Sequence, residues 1–354
     1  MRLLILLVLL APQESQVRLK AGQEKIKVRD FDGAIPELEK CLALDPDEFN
    51  ASFGLGICLW EKEEYKASRR HFRRVVEVVE RRTPGAALTT VHQKLLGCAL
   101  LLEDFDDAVT EATILLQTQE RGEYFYDRAL ARHRKGDLNG ALDDCVAALR
   151  EDGQMAKARI LQASIVLAKG DATTALDGYA AALQSKPSDP SIPLAKGCSL
   201  LLLGRDAEAL VEFRASLKAN QGLSSDLELR AVTLALVWLG ETRAGRPAAA
   251  EEAIQAWPGE LKELGREPRK NHLLGLPLYL GGSLPEAELL KAAEGAVCRP
   301  AQARCEAWLY IAERRLAGGN KAGAREAWRA CVAAGARGIF EHDLAERRLK
   351  AYPD

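Results

Sequence analysis

The sequence has few of the features that mark catalytic or polyanion-binding proteins. Its 354 residues carry 49 basic and 51 acidic side chains, so the formal net charge of −2 gives no reason to expect nucleic acid as a partner. The five histidines are scattered, which argues against a metal-ligand set. The glycine-rich phosphate loop and the HExxH and GxSxG motifs are absent. We therefore predict no catalytic residue, no cofactor and no metal site.

Long hydrophobic runs are also missing, apart from one at the start of the chain. Met1 and Arg2 are followed by LLILLVLLA, a pattern typical of a secretory signal. Nine apolar residues in a helix reach about 14 Å, too short for a hydrocarbon core of roughly 30 Å, so we predict no membrane span. Residues 1–14 are interpreted as a signal peptide with a weak cleavage site, and the protein as periplasmic or secreted. A cytoplasmic protein with a misassigned start is the alternative.

What the sequence does contain is a repeat of 34 residues, seen most clearly over 156–189. Small residues at Ala163 and Ala175 and an aromatic at Tyr179 predict two closely packed helices. Between them, Gly170 suits the left-handed residue that closes a helix, and Asp171 suits the cap of the next. The unit is therefore predicted to be a helix–turn–helix.

The same pattern recurs when the sequence is shifted by 34 residues in either direction. The matching positions are Ala129, Ala141 and Cys145 before the unit, and Gly197, Ala209 and Phe213 after it. A second pair of units near the start carries Gly22, Phe31, Ala34 and Leu38, then Gly56, Tyr65, Ser68 and Phe72. Because one such unit cannot bury its apolar face alone, stacking of neighbours is predicted to give an all-α solenoid.

This spacing resembles the tetratricopeptide repeat (TPR), whose 34-residue period is a helix–turn–helix. The resemblance implies a TPR-like α-solenoid, a right-handed superhelix of antiparallel helix pairs. Its predicted parts are repeats one to three at 15–119, repeats four to six at 122–220, a degenerate pair at 227–257, an irregular insertion at 258–304, and a C-terminal repeat with a capping helix at 305–354.

The resemblance also implies a binding groove. In this family the first helix of each pair lines a concave face, and the corresponding residues here are Phe53, Ile57, Trp60, Tyr126, Leu130, His133, Lys157, Ile160, Ser164 and Leu194. An apolar, aromatic groove suits an extended peptide or an amphipathic helix. The alternative is that Phe53 and Trp60 simply pack against the adjoining repeat.

The eight cysteines fall into two groups. Most lie at repeat positions expected to be buried, where a free cysteine behaves as a small hydrophobe. Cys298 and Cys305 flank a loop that contains Pro300, outside the regular pattern, so in an exported protein we predict a possible disulfide between them.

The last 45 or so residues resemble the C-terminal repeat of bacterial envelope TPR proteins, including lipoproteins of the NlpI type, on the basis of the segment from Cys305 to Glu341. The lipid-anchor cysteine of that type is absent. We predict a non-enzymatic scaffold or adaptor that binds a protein or peptide partner in the groove. The alternatives are a self-associating structural solenoid without a peptide ligand, or an enzyme that uses the 258–304 insertion. The sequence does not determine the oligomeric state.

Overall fold

The computed structural model describes residues 2–86, 88–221, 226–267 and 271–353, with the side chains of residues 2–12 excluded. Every regular element within these ranges is an α-helix. The chain divides into two compact units, 1–120 and 121–354, called here the first unit and the second unit. The boundary lies where the sequence predicts the change from repeat three to repeat four.

The first unit consists of three consecutive helix pairs. Its helices are α1 (Arg2–Lys27), α2 (Phe31–Leu44), α3 (Phe49–Glu61), α4 (Tyr65–Arg82), α5 (Thr89–Leu101) and α6 (Phe105–Thr118). Each helix packs against the next, and α1 also contacts α3. The predicted signal segment falls within α1, except for Met1, which lies outside the described residues. No helix in the described ranges is long and apolar enough to cross a membrane.

The second unit continues the pairing over a longer stretch. Its helices are α7 (Gly122–Lys135), α8 (Leu138–Glu151), α9 (Ala156–Ala168), α10 (Ala172–Ser185), α11 (Ser191–Leu202), α12 (Asp206–Ala219), α13 (Leu227–Arg243), α14 (Pro247–Ile254), α15 (Trp257–Glu263), α16 (His272–Leu280), α17 (Glu286–Glu294), α18 (Pro300–Ala317), α19 (Lys321–Ala333) and α20 (Phe340–Ala351). The prediction of an all-α, TPR-like solenoid is confirmed.

The α9–α10 pair shows why the repeat folds as it does. Gly170 has a φ of +95°, in the left-handed region that side chains disfavour. The Asp171 carboxylate accepts a hydrogen bond of 3.1 Å from the backbone N–H of Thr174 and so caps α10. Ala175 and Tyr179 are almost fully buried, with 0% and 1% of their surface exposed. Cap, turn and buried face all lie where the sequence predicts them.

Glycines on the first helix of a pair admit aromatic rings from the second. A Cβ atom on Gly56 would lie 2.6 Å from the ring of Phe72, and one on Gly197 would lie 2.5 Å from the ring of Phe213. Both distances are too short for any real contact, so the ring occupies the space that a side chain would need. In both pairs the aromatic residue lies 16 positions after its glycine. The recurring sequence pattern therefore reflects the same packing of one helix on the next in each pair.

The segment 258–304, predicted to be an irregular insertion between repeats, contains the short helices α16 and α17. Its prolines and glycines shorten these helices without preventing them from pairing. The side chain of Asn271 caps α16 by accepting from the backbone N–H of Leu273 and Leu274, and Pro285 directly precedes α17. All seven residues from Leu274 to Leu280 are buried. The pair α16–α17 packs between α13 and α18 and so continues the stack. Pro268 of this segment lies outside the described residues.

Candidate functional site

A cavity of about 460 Å³ lies inside the second unit. The first helices of three successive pairs, α7, α9 and α11, form its floor and walls, and α20 lies across from them. Every predicted groove residue of this unit lines the cavity, namely Tyr126, Leu130, His133, Lys157, Ile160, Ser164 and Leu194. The structure thus brings together seven side chains that are up to 68 positions apart in the sequence.

Helical geometry explains why these residues meet. Tyr126, Leu130 and His133 are spaced four and three residues apart, which places them on one face of α7. Steps of 34 residues from Tyr126 lead to Ile160 and then Leu194, at the same height on the next two first helices. Stacking of equal pairs therefore aligns equivalent side chains in rows along one surface.

At one end of the cavity a lysine side chain lies against a tyrosine ring. The Lys157 ammonium lies 4.4 Å from the centroid of the Tyr126 ring, within the range of a cation–π contact. Burial raises the pKa of Tyr126 to about 12, so its hydroxyl is neutral at physiological pH. Burial also raises the pKa of the neighbouring Asp127 to about 6, although Lys157 opposes this shift.

A hydrogen-bonded row of hydroxyls forms another part of the wall. Tyr179 Oη lies 2.9 Å from Ser164 Oγ and accepts a hydrogen bond of 3.0 Å from Ser199 Oγ. Burial raises the pKa of Tyr179, and the two serine contacts oppose that shift. Because these hydroxyls bond to one another, the remaining lining presents mainly apolar surface to an occupant.

The fourth side of the cavity comes from the end of the chain. Ile339, Phe340, Asp343 and Arg347 all line it, and Arg347 Nη1 donates a hydrogen bond of 2.7 Å to the Leu202 carbonyl of α11. The sequence predicts a capping helix at the end of the segment 305–354. The structure shows that it also faces α11, which no local pattern indicates because the two elements lie about 145 residues apart.

Near its end, α20 is held by a buried ion pair. The Arg348 guanidinium donates to both oxygens of Glu313 on α18, at 2.8 and 2.6 Å. Trp328 Nε1 donates to the same carboxylate at 3.1 Å. Each donor satisfies part of a carboxylate that is only 3% exposed, so the pair fixes α20 against the last repeat.

His133 lies beneath the turn that leads into α20. It is 7% exposed, and burial lowers its pKa despite the opposing effect of Asp343. A Cβ atom on Gly338, whose φ is +71°, would lie 3.1 Å from the imidazole ring. Glycine therefore suits this turn, for its left-handed conformation as well as for its close approach to the ring.

The predicted groove residues of the first unit behave differently. Phe53 lies edge-on to Phe72 with centroids 5.7 Å apart, and Trp60 lies edge-on to Tyr65 at 5.2 Å. A Cβ atom on Gly97 of α5 would lie 2.6 Å from the Trp60 ring, so the indole fills a notch in the next pair. Ile57 is half-buried in the same cluster. These three residues pack against neighbouring helices, Trp60 against the adjoining repeat, and their role in a groove stays a prediction.

The structure does not join Cys298 to Cys305, the predicted disulfide. All eight cysteines are free thiols. Cys298 is half-buried in the loop before α18, whereas Cys305 lies within α18, fully buried, with its sulfur 2.8 Å from that of Cys331 on α19. The repeat pattern predicts a C-terminal repeat that begins at Cys305, but α18 begins at Pro300. The nearest sulfur to Cys305 therefore comes from the facing helix.

A second cavity, of about 710 Å³, borders the segment proposed for an enzymatic alternative. One proline and two leucines of α16 line part of it, and Glu251, Glu252 and Arg314 lie among its polar residues. The Arg314 guanidinium also stacks 4.6 Å from the centroid of the Tyr279 ring. Among the described residues, no group of three or more His, Cys, Asp or Glu side chains is placed to hold a metal ion.

Comparison with known proteins agrees with this architecture. Residues 19–87 and 126–190 match the family model of the tetratricopeptide repeat. A TPR protein from Parabacteroides merdae is similar in structure, with a TM-score of 0.57 and 13% identity over 69% of this chain and 91% of that chain. The structure of the APC/C hetero-tetramer Cut9–Hcn1 is also similar, with a TM-score of 0.50 and 14% identity over 90% of this chain and 52% of that chain.

A third similar structure is YrrB, described as a TPR protein with an unusual peptide-binding site. Its TM-score is 0.44, with 19% identity over 48% of this chain and 85% of that chain. No curated protein matches the sequence. The similarity to NlpI-type lipoproteins is not shown by these comparisons and stays a prediction. Residues 19–87 and 126–190 are therefore similar to tetratricopeptide repeats, and the fold of the chain is that of a TPR-like solenoid.

Proposed function

We propose that this chain is a non-enzymatic interaction scaffold that binds a short peptide segment of another protein in the cavity of the second unit. One observation carries the proposal: the seven side chains that the repeat register assigns to a groove line a single cavity. Solenoids of stacked repeats commonly use the concave face of their first helices for binding. The cavity is also of a size typical for ligand sites, which span about 300–1,000 Å³.

The lining indicates what kind of segment fits. Tyr126, Ile160 and Leu194 present apolar surface, so we expect one or two aliphatic or aromatic side chains of the partner to enter. Lys157 and Arg347 add positive charge at the rim, opposed by Asp343. Because α20 already occupies one side, an extended segment is favoured over a whole helix.

A displayed library of random 12-residue peptides, screened against the purified chain, tests the proposal. Peptides that bind are then measured by fluorescence anisotropy against the parent and two variants. Leu194→Trp places an indole in the cavity and should weaken binding at least tenfold, equivalent to about 1.4 kcal/mol. Val211→Trp adds the same ring at a site on α12 that is 66% exposed and is the matched control.

Equal affinity of the parent and Leu194→Trp for every recovered peptide would contradict the assignment of the site. Circular dichroism of both variants checks that each remains helical. If the library yields no binder at all, the second candidate function gains support. That candidate is a structural solenoid whose groove is covered by its own α20, and it is favoured by the contact of Arg347 with α11.

The compartment forms a separate part of the proposal. The apolar run after Arg2 supports export, and the envelope role implied by the C-terminal resemblance depends on it. Expression in a bacterial host, with cell fractionation and N-terminal sequencing of the recovered chain, tests export directly. Cleavage near residue 14 and recovery from the periplasm would support it, whereas an intact N-terminus in the cytoplasm would contradict it.

A further inference from the structure

In several helix pairs, two residues 26 positions apart face each other across the pair. In α1–α2, Ser15 Oγ lies 3.3 Å from Cys41 Sγ. At the α11–α12 pair, Ser216 Oγ donates a hydrogen bond of 2.8 Å to the Pro190 carbonyl. In α7–α8, a Cβ atom on Gly122 would lie 3.1 Å from the Ala148 carbonyl oxygen. The register of the repeat therefore brings this pair of positions into contact.

In α18–α19 both of these positions are cysteines. Cys305 and Cys331 are 26 residues apart, both have 0% of their surface exposed, and their sulfur atoms lie 2.8 Å apart. A disulfide bond is about 2.05 Å long, so closure requires a movement of less than about 1 Å. The contact follows from the repeat itself, since the equivalent positions meet in the other pairs just described.

We propose that Cys305 and Cys331 form a disulfide bond when the chain folds in the presence of a small-molecule disulfide such as oxidised glutathione. One cysteine thiolate attacks the glutathione disulfide, forms a mixed disulfide and releases one glutathione thiolate. The second cysteine thiolate then attacks the protein sulfur of that mixed disulfide and expels the other glutathione. Two protein thiols are thereby oxidised by two electrons, and one glutathione disulfide is reduced to two thiols.

The folded dithiol is poorly placed to react, which assigns the step to folding. Both side chains are fully buried, and the contact with Cys331 together with burial raises the pKa of Cys305. Because the thiolate is the attacking species, a raised pKa and lack of access slow the exchange once the helices have packed. An oxidant present while the chain folds meets both thiols before they are covered.

Formation of the disulfide between Cys305 and Cys331 would affect α20, which lines the cavity. Cys331 Sγ lies 3.6 Å from the backbone carbonyl oxygen of Glu341, in the first turn of α20. A bond between α18 and α19 would therefore fix the surface on which this turn rests. The bridge is independent of the peptide-binding proposal, because its chemistry involves only the last helix pair.

The test compares chain refolded from denaturant with oxidised glutathione against chain refolded with a reductant. Free thiols are then alkylated and the protein is digested with trypsin. Cys305 lies in the tryptic peptide 305–314, Cys331 in 330–337 and Cys298 in 292–304, so each linkage gives a distinct mass. We expect 305–314 linked to 330–337, with Cys298 alkylated, and a melting temperature higher by about 5 °C.

Matched variants separate this bridge from the alternatives. Cys298→Ser should leave the linkage unchanged, and Cys305→Ser should remove it. Ser15→Cys creates the same juxtaposition with Cys41 in the first pair and should yield a second linked peptide pair under the same conditions. Recovery of Cys305 and Cys331 fully alkylated after oxidative refolding, or a link between Cys298 and Cys305, would overturn the proposal. The peptide map of the parent gives this answer even if a variant fails to fold.

Discussion

Equivalent helix positions make different contacts in the two units, although most of the side chains are half-buried in both. In the first unit Phe53, Ile57 and Trp60 pack against neighbouring helices, whereas in the second unit Tyr126, Leu130 and their equivalents line an open cavity. The repeat register is alike in both, so register determines only which face a side chain occupies. Whether that face stays open depends on the size of the residues there and on what covers them.

Trp60 illustrates the difference in size. The equivalent positions in repeats four and five are His133 and Leu167, both smaller than an indole. Trp60 enters a notch at Gly97 and lies under the Lys94 ammonium, 4.5 Å from its ring. In the first unit Trp60 thus fills a notch in the next pair, whereas in the second unit the equivalent His133 and Leu167 line the cavity that α20 borders.

The largest expected effect is on stability and comes from Tyr179, whose ring lines the cavity and is buried in the core. Tyr179→Ala should lower the free energy of unfolding by about 3–5 kcal/mol, because the side chain is 1% exposed between helices. Tyr179→Phe keeps the ring and removes only the hydroxyl, so it should cost about 1 kcal/mol. Urea unfolding followed by circular dichroism measures both. A loss below about 1 kcal/mol for Tyr179→Ala would contradict the packing described here.

A pair of truncations tests the contrast between the units directly. Trp60→Ala should cost about 2–3 kcal/mol of stability, because it empties the notch at Gly97, and should leave peptide affinity unchanged. Tyr126→Ala should cost less stability, about 1–2 kcal/mol, and weaken peptide binding at least tenfold. Urea unfolding and anisotropy titration on both variants provide the comparison. Equal binding losses in the two variants would show that both faces bind the peptide.

Two carboxyl groups, one in each unit, have pKa values shifted in opposite directions. Burial, and secondarily Glu306, raises the pKa of Glu341 in α20 to about 8. Hydrogen bonds from Arg18 and Lys40 instead lower the pKa of Glu37 in the first unit. A carboxyl whose pKa is raised on folding keeps a proton that the unfolded chain releases, so its contribution to stability falls as pH rises from the ordinary value of 4.5 towards 8.

The free energy of unfolding should therefore be lower at pH 8 than at pH 5, by on the order of 2 kcal/mol. Glu341→Gln should remove most of this difference, since a neutral amide does not titrate. Urea unfolding at the two pH values measures the change. The same dependence in the parent and in Glu341→Gln would assign it to other groups.

The smallest expected effect comes from one methyl group at the notch. Gly97→Ala places a Cβ atom against the Trp60 ring and should cost about 1–2 kcal/mol through overpacking. Trp60→Phe, which shortens the ring, should restore part of the loss in the double variant. A double-mutant cycle on unfolding free energies measures the coupling. Additive effects would indicate that the ring moves aside freely.

Much of this architecture could be predicted from the sequence because it is local. A left-handed Gly170, a capping Asp171 and small residues facing Tyr179 all act within a few turns of helix, and the 34-residue period carries them along the chain. The groove rows follow from the same period. Their role in binding stays a prediction.

What could not be predicted depends on distant contacts or on weak local signals. The approach of Arg347 to Leu202 joins residues with no sequence pattern in common, and their meeting depends on how many pairs lie between them. In 258–304 the prolines indicated a break, but burial of seven consecutive residues in α16 outweighed them. The neighbour of Cys305 was missed because α18 starts earlier than the pattern suggested, which placed the residue inside a helix rather than at a loop.

The hydrogen bond between Arg347 and α11 also limits how this chain could evolve. An open array of repeats tolerates gain or loss of a whole 34-residue copy, because each copy contacts only its neighbours. Here, removing 156–189 would shift the surface that α20 meets by one full copy and replace its acceptor at Leu202. The contacts of α20 in the second unit therefore depend on the number of repeats as well as on their sequence.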